Sequence, residues 1–390
     1  MTAPLDAAAS DGAVETGEVL AAALAGHPLM STTRLRSLLA AHADVEGAWR
    51  AVVDGRAARV VDLRPGRGRS DTEIGARWAA AASVLDLAGL DRRLRALGVR
   101  VRVLGGSGYP PRLAADHDPP AVLFERSADG SLSASSAPTA AIVGTRRCTS
   151  YGREVAAELG RDLSSAGVSV ISGLALGIDG AAHEGALVAG AAPPVAVVGS
   201  GLDVVYPRRH ERLWHRVAAA GAVIGEAPLG AAPEAFRFPL RNRIIAALAD
   251  VVVVVESHAT GGSMHTVQSA IERGVPVMAV PGSVRSPSSA GANRLLADGV
   301  APVLDATDVL VALSLSSPGA GGAEPNPPAH VDGADAAVLE AVGWEPTPTE
   351  RVLQRTGLDL GAAASALTRL EMAGLVRSSG GAWERCGGSR

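Results

Sequence analysis

The residues able to do chemistry gather where short apolar runs end. The stretch "AIVGTRRCTSYG" (141–152) opens like a nucleotide-binding turn, an apolar strand followed by a glycine and then a helix. Arg146 and Thr149 stand where the dinucleotide fingerprint needs its second and third glycines. A guanidinium here projects into the anion site above a helix N-terminus, where backbone N–H groups and the helix dipole already favour negative charge. The loop suits phosphate and not NAD. Asp179, His183, Asp203, Glu226 and His258 could supply an acid–base pair. Asp179 and His183, however, are spaced i, i+4 in "GIDGAAHEGAL", where one caps or orients the other at a helix start, and this structural reading outweighs catalysis. No GxSxG elbow, HExxH or Walker pattern occurs, and the second strand ends at Ser172 without the acidic residue that holds an NAD ribose.

Composition narrows the chemistry further. The 390 residues carry a net charge of only −4, so anion binding has to be local and not spread over the whole surface. All 36 basic residues are arginine, which excludes a Walker-type or Schiff-base lysine while providing the side chain best suited to bidentate phosphate contacts. Much of that bias, like the alanine excess, reads as genome composition. Cys148 and Cys386 are the only cysteines and stand outside any CxxC or metal-ligand cluster, so they read as unpaired thiols, and no metal or cofactor is expected. No run long enough for a membrane span and no signal-peptide pattern is present, so the cytoplasm is the expected compartment.

The elements that must position these residues follow from hydrophobic pattern. Residues 1–15 read as a disordered tail and 16–97 as a small helical domain, with apolar residues at three and four spacing in "LRSLLAAHADVEGAWRAV" and "ARWAAAASVLDLAGLDRRLRAL". Between them lies a basic, glycine-containing stretch, "DGRAARVVDLRPGRGRSD". From 98 to 313, "VRVRVL", "AIVG", "VSVISG", "PVAVVGSG", "AVIGE", "VVVVVES" and "VPVMAVPG" alternate with helical segments. Runs such as "DVVVVVES" lack alternation, the mark of parallel strands buried on both faces, and predict a doubly wound α/β domain. Residues 314–332 read as a linker and 333–390 as a second helical segment ending in "GLVRSSGGAWER".

In such a sheet, ligands bind outside the carboxyl ends of the strands. Gly144-Thr145-Arg146, "SGLALGIDGAAH", "GSGLDVVYP", Gly225-Glu226, "ESHATGGSMHT" and Pro281-Gly282 follow the apolar runs, so several backbones can approach a ligand and offer N–H groups. "FPLRNRIIAALAD" adds Arg241 and Arg243 just before a helix, either as a solvated helix start or as groups at the strand-end rim.

Taken in order and spacing, "GTRRCTSYG", "SGLALGIDGAAH", "GSGLDVVYP", "GEAPLG", "FPLRNRIIAALAD", "GGSMHT" and "AVPGS", with "YPPRLAADHDPPAVLF" upstream, resemble the motifs of the DNA-processing protein A family, DprA or Smf. The resemblance covers roughly Val99 to Leu313 and implies an extended Rossmann-like, mostly parallel sheet. It further implies a non-enzymatic homodimer that binds and protects single-stranded DNA and loads the RecA recombinase onto it in natural transformation and recombination. Thr145, Arg146, Gly173, Arg241, Asn242, Gly262, Ser263 and Thr266 match positions around that family's DNA pocket. One departure stands out: where many members have a basic residue before Ser-Gly-Ser, this chain reads Thr260-Gly261-Gly262-Ser263, and His258 or His265 is the local substitute. "NRLLADGV", with exposed-looking Leu295 or Leu296, resembles the dimer region. The N-terminal helices are similar to a sterile-alpha-motif or helix-hairpin-helix domain, and the C-terminal segment resembles a winged helix. In the latter, Leu370, Met372, Leu375 and Val376 read as core, Gly380-Gly381 as the wing turn and Trp383 as the returning strand. Only Arg369 is basic on the would-be recognition helix, so a protein contact competes with duplex DNA as its role. The alternative from another class is a nucleotide phosphoribohydrolase of the lysine-decarboxylase-like group, but "GGSMHT" is followed by Val267 and Gln268 in place of that group's glutamate. A third is a recombinase adaptor that needs no DNA.

Overall fold

The computed structural model describes residues 16–59, 61, 71–128, 137–313, 333–343, 346–373, 375–379 and 381–385. The expected tail 1–15, the linker 314–332, most of the basic stretch between the N-terminal helices, Trp344, Gly380 and Cys386 lie outside the described residues. In chain order the elements are α1 (Thr16–Ala25), α2 (Thr32–Ala40), α3 (Val45–Val53), α4 (Asp71–Ser83), α5 (Leu87–Leu97), β1 (Arg100–Val103), α6 (Pro111–Ala114), β2 (Val122–Ser127), β3 (Thr139–Val143), α7 (Ser150–Ser165) and β4 (Ser169–Ser172). There follow α8 (Ile178–Ala189), β5 (Val195–Val198), α9 (Glu211–Ala220), β6 (Ala222–Gly225), α10 (Arg237–Leu248), β7 (Val251–Val254), α11 (Ser263–Glu272), β8 (Val277–Ala279), α12 (Ala290–Ala297), β9 (Ala301–Pro302) and α13 (Ala306–Ala312). The chain closes with α14 (Ala334–Ala341), β10 (Thr347–Pro348), α15 (Thr349–Thr356), α16 (Leu360–Met372), β11 (Val376–Ser379) and β12 (Ala382–Arg385).

The chain divides into two compact units, Met1–Ser136 with Pro194–Leu248, and Ala137–Pro193 with Ala249–Arg390. In the first, Asp44 and Asp86 side chains cap α3 and α5 by accepting from Gly47 N and Gly89 N, and Gly98 ends α5 in the left-handed region at φ +62°. Its strands run β1-β2-β6-β5, with β1/β2 and β2/β6 antiparallel and β5/β6 parallel. Strand β2 is not among the apolar runs of the sequence, because its second half turns polar. Its buried Glu125 is satisfied by Arg102 Nε at 2.9 Å and by the Ser127 hydroxyl at 2.8 Å.

The second unit carries the all-parallel order β4-β3-β7-β8-β9. Strands β3, β4 and β7 are buried almost throughout, which accounts for their unbroken apolar runs. Helices α7 and α8 meet at backbone distance: a Cβ at Gly160 would lie 2.2 Å from Ala182 O, and one at Gly185 2.0 Å from Ala157 O. The C-terminal part of this unit is a winged helix, three helices and a small sheet in the order β10-β12-β11, around Val338, Val352, Leu367, Leu370 and Val376. Trp383 packs against that core from β12, and Gly381 takes φ +82° at the wing turn. Met372 is not core: it ends α16 at 86% exposure, whereas Leu370 and Val376 are buried. Among the described residues no helix is long and apolar enough to cross a membrane.

Candidate nucleic-acid interface

The arginine loop of the second unit leaves β3 and is held from behind on two sides. Thr145 N donates to Glu256 O at 2.7 Å, and Ile178 N to Thr145 O at 3.3 Å. Gly177, at φ +82°, lies so close that a Cβ there would be 2.4 Å from Thr145 O. The loop closes as Arg147 N donates to Thr145 Oγ1, and Thr149 then caps α7, its hydroxyl accepting from Gly152 N at 3.1 Å. The backbone is thus fixed while the Arg146 and Arg147 side chains are exposed.

The residue that fixes it is Glu256, which the acid–base candidates omitted. Its carboxylate is buried at the end of β7 and accepts from Thr149 N at 2.9 Å and Thr149 Oγ1 at 2.7 Å. The sequence held a signal for it: a carboxylate directly after five valines at a buried strand end must find partners. In front of this brace, at the carboxyl ends of β3, β7 and β8, opens a cavity of about 840 Å³ lined by Thr149, Tyr151, Glu256 and Pro281, with Pro346 and Glu384 of the winged helix in its wall.

The neighbouring strand-end loops turn most of their polar groups inward. Asp179 accepts from Gly173 N at 3.1 Å and Ala175 N at 3.4 Å, so its carboxylate holds the loop ahead of α8, while His183 is fully buried. Ser263 and Thr266 are buried in the first turn of α11, and the Ser263 hydroxyl donates to Ser257 Oγ at 2.8 Å. Gly262 is the outward member, with open space where a Cβ would stand. His258 Nδ1 lies 3.0 Å from Pro287 O, whereas His265 is exposed on α11. Six expected site residues therefore sit in one unit: Thr145, Arg146, Gly173 and Gly262 on the loops after β3, β4 and β7, and Ser263 and Thr266 on the first turn of α11.

Arg241 and Asn242 belong to the other unit, and of the two readings of Arg241 the solvated helix start does not hold, whereas its guanidinium does reach a strand end. They lie inside α10, not before it, and both are buried. The Arg241 guanidinium donates to Val197 O at the end of β5, and its Nε donates to Asn242 Oδ1 at 3.0 Å. Arg237, Arg241 and Glu226 line a cavity of only about 40 Å³. Arg243 pairs with Glu226 at 2.7 Å and Asp118 at 3.3 Å, and Asp118 also pairs with Arg36 of α2. Burial pushes the Glu226 carboxyl above its ordinary range, and Arg243 opposes that shift. Asp203 accepts Gly230 N at 2.8 Å and pairs with Arg93.

Against this geometry, the family model of DNA recombination-mediator protein A matches residues 100–314, more than half of the chain, and the DprA winged-helix model matches residues 322–382. The chain belongs to the DNA recombination-mediator protein A family. Protein Smf of Escherichia coli (strain K12) is 36% identical over 283 residues, 71% of this chain and 75% of that protein. The putative DNA processing protein DprA of Mycobacterium tuberculosis (strain CDC 1551 / Oshkosh) is 40% identical over 248 residues, so the match spans 63% of each, a little under two thirds. The X-ray structure of DNA processing protein A from Streptococcus pneumoniae superimposes with a TM-score of 0.63 at 29% identity, covering 76% of this chain and 98% of that one.

Family membership does not rescue every expectation drawn from it. In the dimer-like segment of this DprA-family chain, Leu295 is buried against its own chain and Leu296 is half-buried. Nor is Arg369 of the winged helix a bare cation: its guanidinium pairs with Asp335 of α14, with Nε 2.9 Å from Oδ2. That pairing holds the Asp335 carboxyl below its usual range.

Proposed function

We propose that this protein binds single-stranded DNA at the strand-end loops of its α/β part, protects it and loads a RecA-type recombinase onto it, acting as a non-enzymatic homodimer in the cytoplasm. The observation that carries this reading is the arginine loop, in which a fixed backbone presents the exposed Arg146 above a helix N-terminus. An exposed guanidinium on the loop that leads into a helix N-terminus stabilises one backbone phosphate, and no pyrophosphate needs to enter. In this reading Arg146, Thr145 and Gly262 meet the strand. Gly173, Ser263 and Thr266 shape the backbone that presents them, in keeping with their burial, while Arg241 and Asn242 order the end of β5 in the other unit. Phosphate contacts carry no base information, so oligothymidine and mixed-sequence strands should bind within about tenfold of each other, roughly 1.4 kcal/mol. Duplex of equal length should bind more weakly. Electrophoretic shifts with a short oligothymidine, beside an assay of nucleotide hydrolysis, test the reading: a shift without hydrolysis supports it, and hydrolysis without a shift replaces it with an enzyme.

A further inference from the structure

In the first unit, the loop that leaves the carboxyl end of β5 passes directly into a basic segment. Between Arg208 and Arg216 stand four arginines and two histidines against one carboxylate, Glu211, in a chain whose overall charge is −4. Helix α9 explains how they are displayed. Leu213, Trp214, Val217 and Ala218 form its buried face, so Arg212 and Arg216, at i, i+4, share the outer one, and Arg208 and Arg209 extend it from the preceding turn. All four are exposed, and the side chains of Arg208, Arg209 and Arg212 make no ion pair or hydrogen bond among the described residues. Many arginines elsewhere do, as in Arg56–Asp54, Arg95–Asp91, Arg161–Asp162 and Arg294–Asp298.

We infer that this arginine face is a second binding surface, for the sugar–phosphate backbone of a nucleic-acid strand, beginning where the β5 strand-end loop stops. The inference rests on the reading of the chain as a single-stranded DNA binder and adds to the arginine loop a surface that family membership does not assign. Guanidinium groups along a helix meet successive phosphates as charge and as forked donors. An acidic peptide is the other polyanion such a face could take. Peptide recognition, however, draws most of its energy from buried apolar and aromatic anchors. Here every large apolar residue of α9 already faces inward, which leaves charge alone and favours the nucleic acid.

The test compares wild type with R208Q/R209Q/R212Q, and with the charge-keeping R208K/R209K/R212K, in titrations of a short and a several-fold longer oligothymidine across a salt series. On the longer strand the glutamine variant is expected to lower the salt slope by about 2, from about 0.7 for each of three contacts. The lysine variant should keep the wild-type slope, and all three proteins should melt together. A glutamine variant with wild-type slope on both strands overturns the inference. So does a loss of polyglutamate binding with the DNA slopes unchanged, which would hand the face to an acidic peptide. Arg146→Ala separates the two levels of the argument. If wild type fails to bind either strand, the single-strand reading itself falls. If Arg146→Ala weakens binding and the triple substitution does not, only the second surface falls.

Discussion

Two arginines expected to do the same work stand in opposite environments. Arg146 follows a strand, on a loop clamped through its backbone, and its side chain faces solvent. Arg241 lies four residues into a helix, buried at 6% exposure, with its guanidinium spent on Val197 O and Asn242. A strand-end loop has its backbone held by the neighbouring elements, so its side chain can stand exposed to solvent, where a ligand arrives. A helix packed on a sheet must use an inward arginine to satisfy strand-end carbonyls, because a buried charge without partners costs several kcal/mol. Charge identity is therefore a weak guide to which arginine a ligand meets, and the element that carries it is a better one.

The contrast can be broken most forcefully at Arg241. Arg241→Ala should lower stability by about 3 kcal/mol, since it removes the buried guanidinium from which Val197 O and Asn242 Oδ1 accept, and urea unfolding would show it. An unchanged midpoint would mean that Arg241 is a surface group after all. Glu256→Ala should come next, at about 2 kcal/mol, through loss of the two hydrogen bonds to Thr149. It should also weaken DNA binding, because the loop in front of it loses its brace, and a variant with weakened folding but wild-type affinity would contradict that coupling.

A pH titration of stability sharpens the comparison from the Arg241 side. Glu226 has its carboxyl raised by burial, so the folded protein holds that proton more tightly than the unfolded chain does. Its contribution is most favourable below the ordinary carboxylate value of about 4.3, and stability falls as pH rises from there to the raised folded value. Glu226→Gln should flatten that segment of the stability profile, and an unchanged slope would remove the assignment. The smallest effect is expected at the winged helix. Asp335→Asn breaks an exposed ion pair and should leave the melting temperature within error, as most surface pairs do.

Much of this was legible before the fold was known. Seven apolar runs are strands: most are unbroken because both faces are buried, β1 alternates valine with arginine, and glycines mark the loops at several of their ends. Strand β2 was not legible, because the Arg102–Glu125 pair that satisfies it joins residues on two strands. The direction of Arg241 was hidden for a related reason: six consecutive residues of α10, Arg241 to Ala246, are buried, so no amphipathic period shows which side faces the sheet. Met372 misled because apolar residues at a helix end carry no mark of exposure. Glu256 was the avoidable omission, a lone carboxylate closing a run of valines.

The central claim is that Arg146, and not the buried Arg241, carries a phosphate contact from a fixed loop. The most direct measurement is the salt dependence of oligothymidine affinity for wild type and Arg146→Ala, with urea unfolding run on the same preparations. The account predicts an unchanged unfolding midpoint and weaker binding, with a salt slope smaller by about 0.7. Wild-type affinity and slope in a fully folded Arg146→Ala protein would contradict it.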